Sequence, residues 1–278
     1  MHNDDHESKR HQPAKAKLSK RLKRLYVKSS FWPPLAAFAG LFIVWELATK
    51  LFAINPITLP SASAIAIEFF QSFTFYLSHA WVTFYEAVLG FLLGLSVAFV
   101  MGIVMAHSSV LERTLLPLAV LANVTPIMAV APLFILWFGF GTLPKVLIAA
   151  IITFFPMLIN SIMGFRSIDE NHYEYMRSLH ASKAEIFMKL RLPNSLPYLF
   201  SAAKTCVSLS VMGAVVGEWS GSSEGLGNVI MMSGNYMQTT RMFAAIFMLA
   251  FMGIVLTNVV RYIERKVLDW HVSANSWN

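Results

Sequence analysis

The sequence predicts an all-α membrane protein with about six transmembrane helices of roughly 20 residues each. Three observations carry that expectation. Hydrophobic residues make up 56% of the chain and charged residues only 13%, where a soluble domain carries roughly a quarter charged. The apolar runs are long and continuous. They lack the alternation of barrel strands, so helices, which pair every backbone group internally, are the structures that suit lipid. Finally, the basic residues between the runs gather on one side of the membrane, as the positive-inside rule requires.

Residues 1–30 form a polar, basic tail that includes Lys15 to Lys28. This stretch suits an amphipathic helix on an anionic leaflet or a solvated tail that sets topology. The apolar segment that follows is too long for a signal peptide and has no small-residue cleavage site. The first span is expected from about Pro34 to Ile54, with Glu46 and Lys50 one turn apart and able to pair. Pro56 and Pro60 end it. Ser61 to Ser72 reads as a short interfacial helix with Ser61 as N-cap.

The second span covers His79 to Ala106, where Gly90, Gly94 and Gly102 form a small face that lets helices approach closely. A third apolar region follows Arg113 and ends at Phe138. Pro117, Pro126 and Pro132 predict that it is kinked or split. The fourth span is Lys145 to Phe165, the fifth Leu196 to Val216 and the sixth Met242 to Val260. A Gly- and Ser-rich stretch, Gly217 to Arg241, lies between the last two. The chain thus divides into a tail (1–30), a first span with its interfacial helix (31–78), a core (79–266) that contains an inner loop (166–194), and a C-terminal tail (267–278).

With the N-terminus inside, the inner side receives the basic tail, Arg113, Arg166, Arg177, Lys183, Lys189, Arg191, Arg261, Arg265 and Lys266. The outer side receives Lys145 and Arg241. This bias accounts for the net charge of +7 without a nucleic-acid partner, and both termini are expected in the cytoplasm. Trp32, Trp81, Trp137, Trp219 and Trp270 fall near span ends, as an aromatic belt would place them.

The inner loop is the informative segment. A first short helix ends near Leu179. Ser182 caps a second, with Glu185 completing a capping box, and Pro193 and Pro197 are expected to stop it before the fifth span. Helices this short are unstable alone in water. Leu179, Ile186, Phe187 and Leu190 offer an apolar side, so the loop reads as a docking element, or as an ordinary loop folded on its own helix ends. Glu218, Gly225 and Gly227 mark the outer end of the fifth span as an outer gate or a contact for an external partner; a solvated interfacial acid is the plainer reading of Glu218. Glu86 is either an intramembrane functional carboxylate or a hydrated one near the outer edge. Lys204 can snorkel, and Cys206 reads as a small buried residue. No phosphate-binding loop, catalytic triad or metal-ligand spacing is present in the sequence.

Residues Glu174 to Pro193 resemble the signature of the membrane-spanning permease subunits of bacterial ABC importers. That signature runs Glu-Ala-Ala, three residues, Gly, nine residues, Ile, one residue, Leu-Pro; here Glu174, Leu190, Leu192 and Pro193 keep its spacing. Tyr175 and Met176 replace the alanines and His180 the glycine. Ala131 to Gly139, Phe154 to Pro156, Gly164 to Ser167, Gly213 to Trp219 and Gly225 to Gly227 are similar to the branch that serves nitrate, sulfonates, taurine and thiamine pyrimidine precursors. The resemblance implies a type I importer permease fold and two copies lining a path. The inner loop would dock through Glu174, Tyr175, Met176, Leu179, His180, Ala181, Ser182, Leu190, Leu192 and Pro193. The resemblance also implies ATP and Mg on a separate ATPase subunit with no cofactor on this chain, an external substrate-binding protein, and residence in the bacterial inner membrane. Gly217-Glu218-Trp219 favours a thiamine pyrimidine precursor as solute, with sulfonate, taurine or nitrate as the alternative. An ion-coupled secondary transporter is the competing class; it calls for inverted repeats and midplane ionisable residues, and the spans show no repeat and few such residues.

Overall fold

The computed structural model describes residues 32–269; the expectations for the two tails and for Trp270 lie outside them. Every regular element among the described residues is helical. The chain divides into two compact units at Ala64/Ile65. In the first, α1 (Trp32–Leu51) carries the Glu46–Lys50 pair at 2.6 Å. Glu46 also accepts the backbone amide and the hydroxyl of Ser63, at 2.9 and 2.7 Å. The short helix α2 (Ala62–Gln71), within which the division falls, begins where Ser61 Oγ accepts the Ala64 amide at 3.3 Å, the expected cap.

In the second unit, α3 spans Phe73–His107. It starts six residues before His79 (79 − 73), so the 78/79 division falls inside it. The third apolar region is split into α4 (Ser109–Val124) and α5 (Ile127–Phe138), bent by 97° at Thr125 and Pro126. Pro117 and Pro132 stay within helices; Pro126 makes the break. The next helix, α6, runs Thr142–Arg166. The inner loop carries α7 (Glu170–Ser178) and α8 (Lys183–Ile186), followed by a π turn over Phe187–Arg191. Then come α9 (Leu192–Trp219), α10 (Leu226–Asn235) and α11 (Thr239–Val267).

One expectation is corrected here. Pro193 and Pro197 do not stop the second loop helix, because the chain stays helical from Lys183 to Trp219. The π turn explains this: the Leu192 amide reaches back to the Phe187 carbonyl, and the wider turn gives the Pro193 ring room that a regular α turn denies. Among the described residues, four helices are long and apolar enough to cross a membrane, or five if the bent pair is one span. The 20 residues of α1 rise about 30 Å, enough for one more, in keeping with the expected six or so.

The apolar windows of α6 and the α9 span are 56% and 61% buried, against 28% for α3 and 33% for α11. The first two are therefore central and the others face outward. The small face of α3 does what its spacing implied. A Cβ on Gly102 would come within 2.6 Å of Ser161 Cβ, and one on Gly90 or Gly94 would overlap Ala149 or Thr153 of α6. Close approach lets small side chains pack over long distances without bulky interdigitation. Ala98, Met105, Leu158, Ile162, Ala202 and Cys206 fill the space among α3, α6 and α9.

Candidate functional site

Two places carry polar organisation beyond the needs of packing. The first is the inner loop. Asp169 caps α7 by accepting the Asn171 amide at 2.8 Å. The helix ends as the Leu179, His180 and Ala181 amides turn back to the Tyr175, Arg177 and Met176 carbonyls. His180 lies in the left-handed region at φ 55°, the conformation for which glycine is the usual choice. Ser182 then opens α8. Its Oγ accepts the Glu185 amide at 3.2 Å, and Glu185 Oε2 accepts the Ser182 amide at 3.0 Å, which completes the expected capping box. The Ser182 amide, then its hydroxyl and Lys189, hold the Glu185 carboxyl below its ordinary range.

The loop is anchored rather than loose. Phe187 packs its ring 5.6 Å from both His107 and Phe165, at the inner ends of α3 and α6. Asn194 donates to the Ser167 carbonyl at 2.9 Å. The apolar side expected from Leu179, Ile186, Phe187 and Leu190 is therefore divided. Ile186 is buried, Phe187 and Leu190 are half-buried, and Leu179 stays exposed. The surface left open consists of Glu174, Tyr175, Leu179, His180 and Ser182, with Tyr175 63% and Leu179 60% exposed. Met176, Ala181, Leu192 and Pro193 are half-buried behind it.

The second place is the outer end of α9. Glu218 is fully buried, so it is not a solvated interfacial acid. Thr83 of α3 donates its hydroxyl to Glu218 Oε1 at 2.6 Å and accepts the Leu226 amide at 2.8 Å. The Gly227 amide donates to Glu218 Oε2. A Cβ on Gly225 would overlap the Glu218 carboxyl group, and one on Gly227 would sit 2.6 Å from Oε2. Gly225 also has φ 100°. Its amide donates to His79 Nδ1 at 3.0 Å, which makes that nitrogen the acceptor and leaves the ring proton to Nε2.

Beside this carboxylate lies a buried ion pair that the sequence reading missed. Lys145 Nζ donates to Glu86 Oε1 at 2.8 Å and to Ser222 Oγ at 2.7 Å. Lys145 lies near the start of α6, where the expected fourth span begins, but is buried, and Glu86 is fully buried rather than hydrated. Ser222 in turn donates to the Glu224 carbonyl at 2.6 Å. Lys204, expected to be able to snorkel, pairs with Glu264 of α11 at 2.8 Å. The signal that could have found the cluster was charge balance, since two acids within spans need a base and Lys145 is the nearest at a helix end. Chemically the arrangement fastens the Ser220–Gly225 turn and the start of α10 to three helices. Among the described residues no group of acids, histidines and cysteines is placed to hold a metal.

The family model described as the binding-protein-dependent transport system inner membrane component matches residues 90–269. The chain belongs to that family. As a permease it resembles the formylaminopyrimidine transport permease protein ThiX of Halalkalibacterium halodurans, at 30% identity over 85% of this chain and 95% of the relative. It also resembles the putative aliphatic sulfonates transport permease protein SsuC of Bacillus subtilis, at 33% identity over 84% and 86%. Its fold matches a chain of the MetNI methionine ABC transporter in inward-facing conformations, with a TM-score of 0.62 at 18% identity over 69% of this chain and 96% of that one. The protein is a membrane-spanning permease subunit of an ABC importer.

Proposed function

We propose that two copies of this permease line a translocation path and that each docks its inner loop on an ATPase subunit, which binds ATP and Mg. The single observation that supports docking is the preformed loop. The first capped helix, of 9 residues, is too short to stand alone in water, the second opens the long helix to Trp219, and Phe187 packs the loop against the ends of α3 and α6 while Tyr175 and Leu179 stay exposed. ATP binding then moves the docked loop by favouring one conformation over the other, since a partner with equal affinity for both would shift nothing. Both termini lie in the cytoplasm and an external binding protein delivers the solute. Glu218, Gly225 and Gly227 act in the outer gate by fastening its turn from within.

The solute is a thiamine pyrimidine precursor. Support comes from the Gly217-Glu218-Trp219 resemblance and from the formylaminopyrimidine relative. A sulfonate is the second reading, favoured by the SsuC relative of similar identity. Replacing Glu174–Pro193 with a Gly/Ser linker is expected to abolish co-purification of the ATPase subunit; retention of the ATPase would contradict docking. A ligand screen on the partner binding protein separates the two solutes, pyrimidine binding supporting the first and sulfonate binding the second.

A further inference from the structure

The bent region holds irregular backbone where a bilayer offers it no partner. The 16 residues of α4 rise about 24 Å from the inner side, which leaves its C-terminal end inside a hydrocarbon core of about 30 Å. There the chain turns by 97°. Thr125 recovers part of the lost hydrogen bonding, its amide donating to the Ala122 carbonyl and its hydroxyl to the Leu121 carbonyl, each at 3.2 Å. Pro126 gives α5 no side-chain cap. The remaining end groups of two abutting helices have no partner within either helix. Lipid tails cannot supply one, so non-helical backbone at this depth is tolerated only against protein or a water-filled cavity. The second unit does not cover the break, since Leu121 to Pro126 are all exposed, the Asn123 amide and Thr125 among them.

We infer that the Asn123–Pro126 break faces the water-filled path, where it offers a polar solute the Asn123 amide, the Thr125 hydroxyl and open backbone groups. Water satisfies donors and acceptors alike, whereas a dry contact with the second copy demands a matched partner for each group. The inference rests on the proposed two-copy path.

Thiol accessibility tests it. Cys206, the one native cysteine, is buried and gives little background. Asn123→Cys and Thr125→Cys are compared with Leu93→Cys and Phe251→Cys, positions 40% and 61% exposed on α3 and α11. All are assembled with the ATPase subunits in membranes and treated with a charged, membrane-impermeant methanethiosulfonate. Labelling of either break variant at least about tenfold faster than the two controls on the apolar surfaces of α3 and α11 is expected, because only water carries the charged probe to the thiol. Labelling as slow as the controls means that the break faces lipid and overturns the inference. An inter-subunit disulfide without labelling means a dry contact between copies and overturns it equally. ATPase co-purification is scored in the same samples. If it is kept while labelling fails, only this inference falls; if no ATPase is bound, the proposed function falls first.

Discussion

Lys145 Nζ lies 2.8 Å from Glu86 Oε1, with the two side chains 8% and 0% exposed. The pair joins α6 to α3, and Ser222 Oγ accepts a further hydrogen bond from the same ammonium group at 2.7 Å. A buried ion pair adds little net stability over an apolar packing of the same shape, yet removing one partner is costly because the other charge stays behind. Lys145→Met is therefore expected to destabilise the permease by about 3–5 kcal/mol, read as a lowered Tm in detergent. The double variant Lys145→Met/Glu86→Leu removes both charges and is expected to recover most of the loss. A double variant as unstable as the single one would show that the pair is not the cause.

Glu218 and Gly227 form a second lock. Gly227→Ala drives a methyl group toward Glu218 Oε2 and also toward the Val215 carbonyl, 2.9 Å from the added Cβ. Overpacking of this kind costs about 1–3 kcal/mol. Adding Glu218→Ala relieves one of the two contacts but leaves the Thr83 hydroxyl and the amide of residue 227 without their buried acceptor, so no recovery of Tm is expected. Thermal unfolding of the two variants side by side measures it.

At the inner loop, Ser182→Ala removes the acceptor for the Glu185 amide and is expected to cost about 1 kcal/mol of local stability, seen as faster amide exchange over residues 182–189. The Glu185 carboxyl is depressed in the folded loop. Its contribution is therefore fully present above the usual carboxylate pKa of about 4.3 and is lost as pH falls through the lower folded value. The exchange difference between Ser182→Ala and the parent should be full at neutral pH and shrink only in acid.

His180 occupies a left-handed turn at φ 55°. His180→Gly restores the residue that this backbone prefers and is expected to keep ATPase binding unchanged or tighter. His180→Ile places a β-branched side chain where it is strained and is expected to weaken ATPase binding about tenfold, roughly 1.4 kcal/mol. Titration of solubilised permease with the ATPase subunit reads both.

The spans were legible in the sequence because lipid demands long, uncharged, internally bonded segments, and the three prolines of the third region foretold a kink or split without saying which of them, Pro126, would make it. The capping box was legible because Ser182 and Glu185 lie within one turn of each other. The Lys145–Glu86 pair was not, since its partners are 59 residues apart and nothing local marks which helices meet. Nor did the sequence foretell that Phe187 turns inward while Leu179 does not. That outcome depends on where α3 and α6 end. The continuity of α8 through Pro193 escaped for a different reason: a π turn has no residue pattern as strong as the proline that it accommodates.

The account rests on the exposed ridge of the inner loop meeting an ATPase subunit. Leu179→Cys, 60% exposed in the parent, permits a direct test by cross-linking of the full transporter in membranes. The prediction is a cross-link from position 179 to the ATPase subunit whose yield changes when ATP is added. Position 179 reacting freely with a soluble thiol reagent, with no cross-link to the ATPase in any nucleotide state, would contradict it.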